Sequence, residues 1–202
     1  MKNCCETHDN KRRILWIVLW VNALIFGVQL SAAIIAHSTA LLADSVDMIG
    51  DVFAYAISIF VITRGERALA KAALFKGIII ALFSSVVFID VLIKIFFEEQ
   101  MPSSTLMLIF SLVGMCANSF CLWLLTQNRN SDINMRSVWL CARNDIIGNI
   151  SVLITAGLVY IWNSRWPDII VGTILATILL HSGYGIIRLA KNKLDLLNTK
   201  NN

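Results

Sequence analysis

Long apolar runs alternate with short polar connections along the whole chain. A membrane-spanning helix needs about 20 consecutive apolar residues, at a rise of 1.5 Å per residue. Barrel strands would instead show short segments of alternating polarity. The pattern therefore predicts an all-α polytopic membrane protein. We predict six transmembrane helices, at residues 14–36, 40–63, 68–97, 104–126, 136–162 and 166–190.

The two ends of the chain are polar and frame this apolar unit. We expect residues 1–13 to form a cytosolic N-terminal tail and residues 191–202 a short cytosolic C-terminal tail. The six helices of residues 14–190 then form a single transmembrane domain. We expect no soluble C-terminal domain after it.

Basic residues predict the orientation of the helices, because cytoplasmic connections of membrane proteins are enriched in Lys and Arg. Both termini, the second-to-third connection and the fourth-to-fifth connection are basic, and the other connections contain almost no Lys or Arg. Six helices with both termini in the cytoplasm satisfy this distribution. The location that we expect is a bacterial inner membrane.

The composition supports a membrane protein and excludes other classes. The chain is 57% hydrophobic and 15% charged, whereas soluble domains carry about 25% charged residues. Its net charge of +4 is explained by membrane orientation, so we expect the lipid bilayer and no nucleic acid as a partner. Five cysteines, an odd number spread over the tail and the helices, do not indicate a disulfide scaffold.

Three carboxylates interrupt the second apolar run. Asp44, Asp47 and Asp51 are spaced i, i+3 and i+7, so they share one helical face. An acidic side chain at the centre of a spanning helix costs on the order of 2.5–3.5 kcal/mol. Like charges on one face also repel, so a divalent cation, protons or a basic side chain must lie among them.

The fifth run carries a matching pair, Cys141 and Asp145, again spaced i, i+4. Two helices that each present two ligands one turn apart can enclose a four-coordinate site. Three carboxylates and a thiolate suit Zn²⁺, with Cd²⁺, Co²⁺ and Fe²⁺ as alternatives. The same carboxylates bind protons when no metal is present, so metal and protons would compete, as in an antiporter.

A short internal repeat links the same two helices. Residues 42–51 and 140–149 share Leu, Asp, Ile and Gly at matching positions, and Asn149 falls opposite Asp51. We therefore include Asn149 among the secondary candidate ligands. The repeat is typical of two three-helix halves with inverted topology, which share a site near the membrane midplane.

Other candidate residues retain more than one interpretation. Asp44 could act as a relay in the outer vestibule, begin the helix, or pair with a basic side chain such as Arg143. Cys141 is either a ligand or a small buried hydrophobe. The tail residues Cys4, Cys5 and His8 could capture a metal in the cytosol, although polar tails also carry such residues without a role.

The third run contains charged residues to which we assign structural roles. We expect Lys71 and Lys76 to lie along the cytoplasmic interface, where lysine side chains can snorkel. Asp90 and Lys94 are spaced i, i+4 and predict a neutralising pair within the helix.

With these residues in place, the chain resembles the cation diffusion facilitator family. Residues 38–51 are similar to that family's second transmembrane helix, in which His or Asp, followed four residues later by Asp, forms half of the transport site. Asp47 and Asp51 fall on those positions. Cys141 and Asp145 fall on the corresponding pair of the fifth helix, where Cys141 replaces the usual His or Asp. Residues 165–172 resemble the start of the family's sixth helix.

The resemblance implies export of a divalent metal from the cytoplasm in exchange for protons, by alternating access, with the metal as substrate and no cofactor. It is strongest to the subgroup without a cytosolic domain, so a homodimer would form through the membrane helices. Two rival functions follow from the carboxylates: a proton-coupled exporter of organic cations, and an intramembrane aspartyl hydrolase. The second lacks a Gly-x-Gly-Asp signature.

Overall fold

Six α-helices make up nearly all of the part of the chain that the computed structural model describes. That part comprises the backbone of residues 2–61, 66–97, 100–127, 129 and 133–199, and the side chains of residues 12–59, 67–97, 100–127, 129 and 135–197. No strand occurs within these ranges. The helices are α1 (Lys2–Ala36), α2 (Thr39–Val61), α3 (Glu66–Phe96), α4 (Ser104–Thr126), α5 (Ile133–Trp162) and α6 (Trp166–Thr199).

The predicted fold class is confirmed, and the helix boundaries agree closely at most ends. The predicted span 104–126 coincides with α4, whereas the backbone of α1 is already helical at Lys2 and that of α6 continues to Thr199. Five of the helices are long and apolar enough to cross a membrane. The exception is α2, because its three aspartates make it too polar by composition alone. Asp44 and Asp51 are buried within the bundle, so neither side chain faces lipid.

The second helix lies among four others. It contacts α1, α3, α5 and α6, while the most extensive pairings in the bundle are α3 with α6, α1 with α2, and α4 with α5. If α1, α2 and α3 correspond to α4, α5 and α6, the pairing of α1 with α2 is equivalent to the pairing of α4 with α5. That correspondence is what an inverted repeat of three helices requires.

Glycine allows the close packing of α3 against α6. A Cβ atom at Gly77 would lie 3.0 Å from the carbonyl oxygen of Gly183, and a Cβ at Gly183 would lie 3.2 Å from that of Gly77. Any side chain at either position would push the two backbones apart. These two helices therefore form a closely packed unit beside α2.

The outer surface of the bundle is apolar. Large hydrophobic side chains on different helices, among them Leu24, Ile34, Ile154 and Ile178, are more than half exposed. Soluble monomers rarely expose so large a continuous apolar surface. The described surface therefore fits a lipid environment, which agrees with an integral membrane protein.

A carboxylate from α6 caps the start of α2. The hydroxyl of Ser38 donates to Asp168 at 2.6 Å, and the backbone N–H groups of Thr39 and Ala40 donate to it at 2.7 and 3.1 Å. The first N–H groups of a helix have no partner within the helix, and its N-terminus attracts negative charge. Asp168 therefore fixes the first turn of α2 against α6.

Next to this cap lies the ion pair predicted within the third run. Lys94 Nζ is 2.9 Å from Asp90, and it also donates to the hydroxyl of Thr39 at 2.8 Å and to the carbonyl of His37 at 3.0 Å. The intrahelical pair is thus confirmed, with an additional role in holding the α1–α2 turn. We call Ser38, Thr39, Asp90, Lys94 and Asp168 together the capping cluster.

Candidate functional site

The acidic residues of α2 and α5 meet inside the bundle. Asp51 and Asp145 are 6% and 3% exposed, and their carboxyl groups are close enough to interact electrostatically. The Cys141 thiol also interacts electrostatically with Asp51. The Tyr55 hydroxyl donates to Asp51 Oδ2 at 3.4 Å. Two oxygen donors and one sulfur donor from two helices therefore face each other.

Asp47 lies one turn before Asp51 and is partly buried. It interacts electrostatically with both Asp51 and Asp145. Among the described side chains, no three His, Cys, Asp or Glu residues are arranged closely enough to hold a metal ion. The assignment of Asp47, Asp51, Cys141 and Asp145 as metal ligands therefore stays a prediction. We refer to these four residues as the four-residue site.

Lys76 is a member of this environment that the sequence analysis placed elsewhere. We expected it at the membrane interface, but it is partly buried, whereas Lys71 on the same helix is exposed. Its Cε atom is 4.0 Å from the position that a Cβ on Gly50 would take. It interacts electrostatically with Asp47, Asp51 and Cys141. The three aspartates of α2 already indicated that a cation, protons or a basic side chain lies among them, and Lys76 is such a basic side chain.

Asp44 belongs to a separate hydrogen-bonded group. Gln29 Nε2 on α1 lies 3.3 Å from Asp44 Oδ2, 3.1 Å from Asn149 Oδ1 and 3.3 Å from the carbonyl oxygen of Phe110. This amide junction, formed by Gln29, Asp44, Phe110 and Asn149, connects α1, α2, α4 and α5. An NH₂ group has two hydrogens, so the three acceptors share them.

The amide junction gives the hydrogen-bond partners of Asp44 and Asn149. The described partner of Asp44 is a neutral amide, while Arg143 is exposed and lies 5.8 Å from the centre of the Trp139 ring. Asn149 accepts from Gln29 and donates to the backbone oxygen of Asp145 at 2.8 Å. Both residues therefore hydrogen-bond within the amide junction, and their assignment as secondary candidate ligands stays a prediction.

Gly148 allows α5 to approach Asp44. A Cβ at Gly148 would lie 2.6 Å from Asp44 Oδ1, well inside van der Waals contact. Asp44, early in α2, thus meets a later residue of α5, while Asp51 meets the earlier Cys141. The two helices therefore run in opposite directions, as an inverted repeat requires.

The tail residues Cys4, Cys5 and His8 have side chains outside the described residues, so their predicted capture role stays a prediction. Of the two cysteines of α4, Cys121 is buried and lies 3.7 Å from Asn22 Nδ2, and Cys116 is exposed.

Comparisons with known proteins agree with this architecture. The family model described as the cation efflux transmembrane domain matches residues 15–194. The chain is 21% identical over 193 residues to the "Cadmium, cobalt and zinc/H(+)-K(+) antiporter" of Bacillus subtilis strain 168, with 89% of this chain and 61% of that protein covered.

Two further relatives carry similar names. The "Zinc transporter ZitB" of Yersinia pestis is 24% identical over 196 residues, which cover 90% of this chain and 62% of the relative. The "Metal cation efflux system protein CzcD" of Cupriavidus metallidurans is 22% identical over 203 residues, which cover 94% and 64%. The chain thus spans about three fifths of the length of the curated relatives it matches.

Proposed function

Because the chain belongs to the cation diffusion facilitator family, we propose that it exports a divalent transition-metal ion from the cytoplasm. The family assignment rests on the match of the cation efflux transmembrane domain over residues 15–194. Zinc is the first candidate, followed by cadmium, cobalt and iron. The relatives' names include zinc, cadmium and cobalt, which supports these three ions. The chain is an integral protein of a bacterial inner membrane and is a transporter rather than an enzyme.

The proposal depends chiefly on the meeting of Asp51 with Cys141 and Asp145. Zn²⁺ binds carboxylate oxygen at about 2.0–2.2 Å and thiolate sulfur at about 2.3 Å, mostly with four ligands. Asp47 supplies the fourth donor if its side chain turns towards the other three. Binding of the ion would then draw α2 and α5 together around a single centre.

We propose that protons are the counter-ion. Two neighbouring carboxyl groups repel when both are ionised, so the site without metal needs a proton between them. Arrival of a divalent ion displaces that proton, and protonation from the other side of the membrane releases the ion. The name of the Bacillus relative includes H⁺ exchange, which supports this coupling.

Alternating access follows from the position of the ligands on opposite halves of the chain. Asp47 and Asp51 lie in the first three helices, and Cys141 and Asp145 lie in the last three. Rocking of one half against the other would expose the ion to one side of the membrane at a time. The amide junction, which joins α1 and α2 to α4 and α5, keeps the halves in contact near the site.

Reconstituted vesicles containing a pH-sensitive dye test the proposed function. We expect Zn²⁺ to move across the membrane with opposite movement of protons, and Cd²⁺ and Co²⁺ to compete. Metal movement without any pH change would exclude proton antiport. Failure to move any ion of a panel of divalent metals would overturn the proposal as a whole.

We also propose, from the resemblance to the subgroup without a cytosolic domain, that two copies associate through their membrane helices. Light scattering of the purified protein after subtraction of detergent mass would give twice the 22.5 kDa chain mass. A monomer that is active in vesicles at one copy per vesicle would contradict the dimer.

A further inference from the structure

Lys76 is a basic residue placed beside the acidic cluster by a third helix. It lies on α3, whereas the four candidate ligands lie on α2 and α5. Its Cε atom approaches the backbone of α2 at Gly50, immediately before Asp51. The electrostatic interactions of Lys76 reach both α2 carboxylates of the site and the thiol on α5. It therefore faces the site from a side that no predicted ligand occupies.

The packing around Lys76 holds it in that place. The Ile80 side chain, one turn further along α3, lies 3.0 Å from the position of a Gly50 Cβ. Gly50 thus gives α3 room to approach α2 at the level of the carboxylates. On its other side, α3 is packed against α6 through Gly77, the residue after Lys76. These contacts fix the position of α3 and therefore place the backbone of Lys76 beside α2 at the level of the carboxylates.

The charges of these groups explain why a lysine is suited to this position. Asp47, Asp51 and Asp145 carry three negative charges when ionised, and Lys76 carries one positive charge. The sum is two negative charges when Cys141 is a neutral thiol and three when it ligates as a thiolate, and in either case Lys76 removes one unit of the negative charge that attracts a divalent cation. A site with three carboxylates and no lysine would retain a negative charge after binding, and would hold a divalent ion more tightly.

We propose that Lys76 is a tethered counter-cation of the transport site, which neutralises one carboxylate charge and lowers the affinity for the divalent ion enough to permit its release. The proposal rests on the proposed function, because it concerns the affinity of the same site. A transporter must release its ion on every cycle, so binding that is too tight slows turnover. Lys76 sets this balance without itself being a ligand.

Zinc binding to purified variants tests the role of Lys76. The change is Lys76→Met, which keeps an unbranched side chain one atom shorter and removes the charge, with Lys76→Gln as a second uncharged variant. We expect Zn²⁺ to bind at least tenfold more tightly, a difference of about 1.4 kcal/mol. We expect the transport rate at saturating Zn²⁺ to fall, because release becomes slower.

Two further variants separate charge from packing. Lys76→Arg keeps the positive charge and should bind Zn²⁺ with wild-type affinity. Lys71→Met removes a lysine from an exposed position of the same helix and serves as the matched control, with unchanged affinity expected. Loss of a purely structural contact would weaken binding, whereas loss of a repelling charge must strengthen it, so the sign of the change is diagnostic.

The outcomes distinguish this proposal from the proposed function. If wild-type protein binds no divalent metal, the proposed function fails. If wild-type protein binds Zn²⁺ while Lys76→Met and Lys76→Gln bind it equally or more weakly, Lys76 is not a counter-cation and the proposed function stands. Tighter binding by Lys76→Arg, equal to that of the uncharged variants, would also overturn the proposal.

Discussion

The buried carboxyl group of Asp51 on α2 interacts electrostatically with the buried carboxyl group of Asp145 on α5. The two residues come from different halves of the chain and from helices that run in opposite directions. Two neighbouring ionised carboxylates repel each other. A proton or a cation between them would remove this repulsion, which is why we propose their meeting point as the centre of ion exchange.

Removal of the Asp51 charge should abolish transport. We expect Asp51→Asn to lower Zn²⁺ affinity on the order of 100-fold, since an amide oxygen is a poorer ligand than a carboxylate. Calorimetric titration of the purified protein measures the affinity. Asp195→Asn, the same change at an exposed position of α6, is the matched control. Equal Zn²⁺ affinity in both variants would remove Asp51 from the site.

The Cys141 thiol should determine which ions are preferred. We expect Cys141→Ser to lower transport of Cd²⁺ relative to Mn²⁺ on the order of tenfold, because thiolates favour soft ions and hydroxyl oxygens favour hard ones. Transport of a metal panel in vesicles gives the ranking. Cys116→Ser, at an exposed position on α4, should leave it unchanged. An identical ranking in Cys141→Ser would mean that Cys141 is a packing residue.

Space at Gly148 should be essential for the amide junction. We expect Gly148→Ala to lower the free energy of unfolding by about 1–3 kcal/mol, because the new Cβ would overlap Asp44 Oδ1. Reversible unfolding in mixed micelles measures the loss. Gly157→Ala on the same helix meets no atom within 4 Å and should be neutral or stabilising by up to about 1 kcal/mol. Equal stability of the two alanine variants would contradict the close contact.

The Asp168 cap should contribute strongly to stability. We expect Asp168→Ala to lower the free energy of unfolding on the order of 3 kcal/mol, since it leaves the Ser38 hydroxyl and two N–H groups of α2 without their buried acceptor. Asp168→Asn retains one acceptor oxygen and should lose less. The same unfolding assay applies, and a loss below about 0.5 kcal/mol in Asp168→Ala would show that water replaces the cap.

The helices of this fold could be predicted because their signal is local. A run of apolar residues determines each span, and the predicted range 104–126 agrees with α4. The acidic pair in α2 and the Cys–Asp pair in α5 were equally accessible, since spacing within one helix fixes which side chains share a face. The expectation that the two pairs face each other came from the internal repeat and from the family resemblance.

Contacts between helices that are distant in sequence could not be derived in this way. The role of Lys76 depends on how closely α3 approaches α2, which is set by Gly50 and Ile80. Asp168 was noticed only as part of a family motif, and its partners lie at the start of another helix. The three acceptors of the Gln29 amide depend on the packing of α1 against α2, α4 and α5, which no pattern within α1 specifies.

The capping cluster has a consequence for how α2 can move. Its hydrogen bonds hold the first turn of the helix to α3 and α6, and Asp51 lies twelve residues beyond Thr39, about 18 Å along the axis. A small tilt of α2 about its first turn moves that turn very little. The same tilt shifts Asp51 sideways, in proportion to its distance from the first turn. The capping cluster is therefore the pivot of such a motion, and a covalent cross-link placed within it should be compatible with turnover.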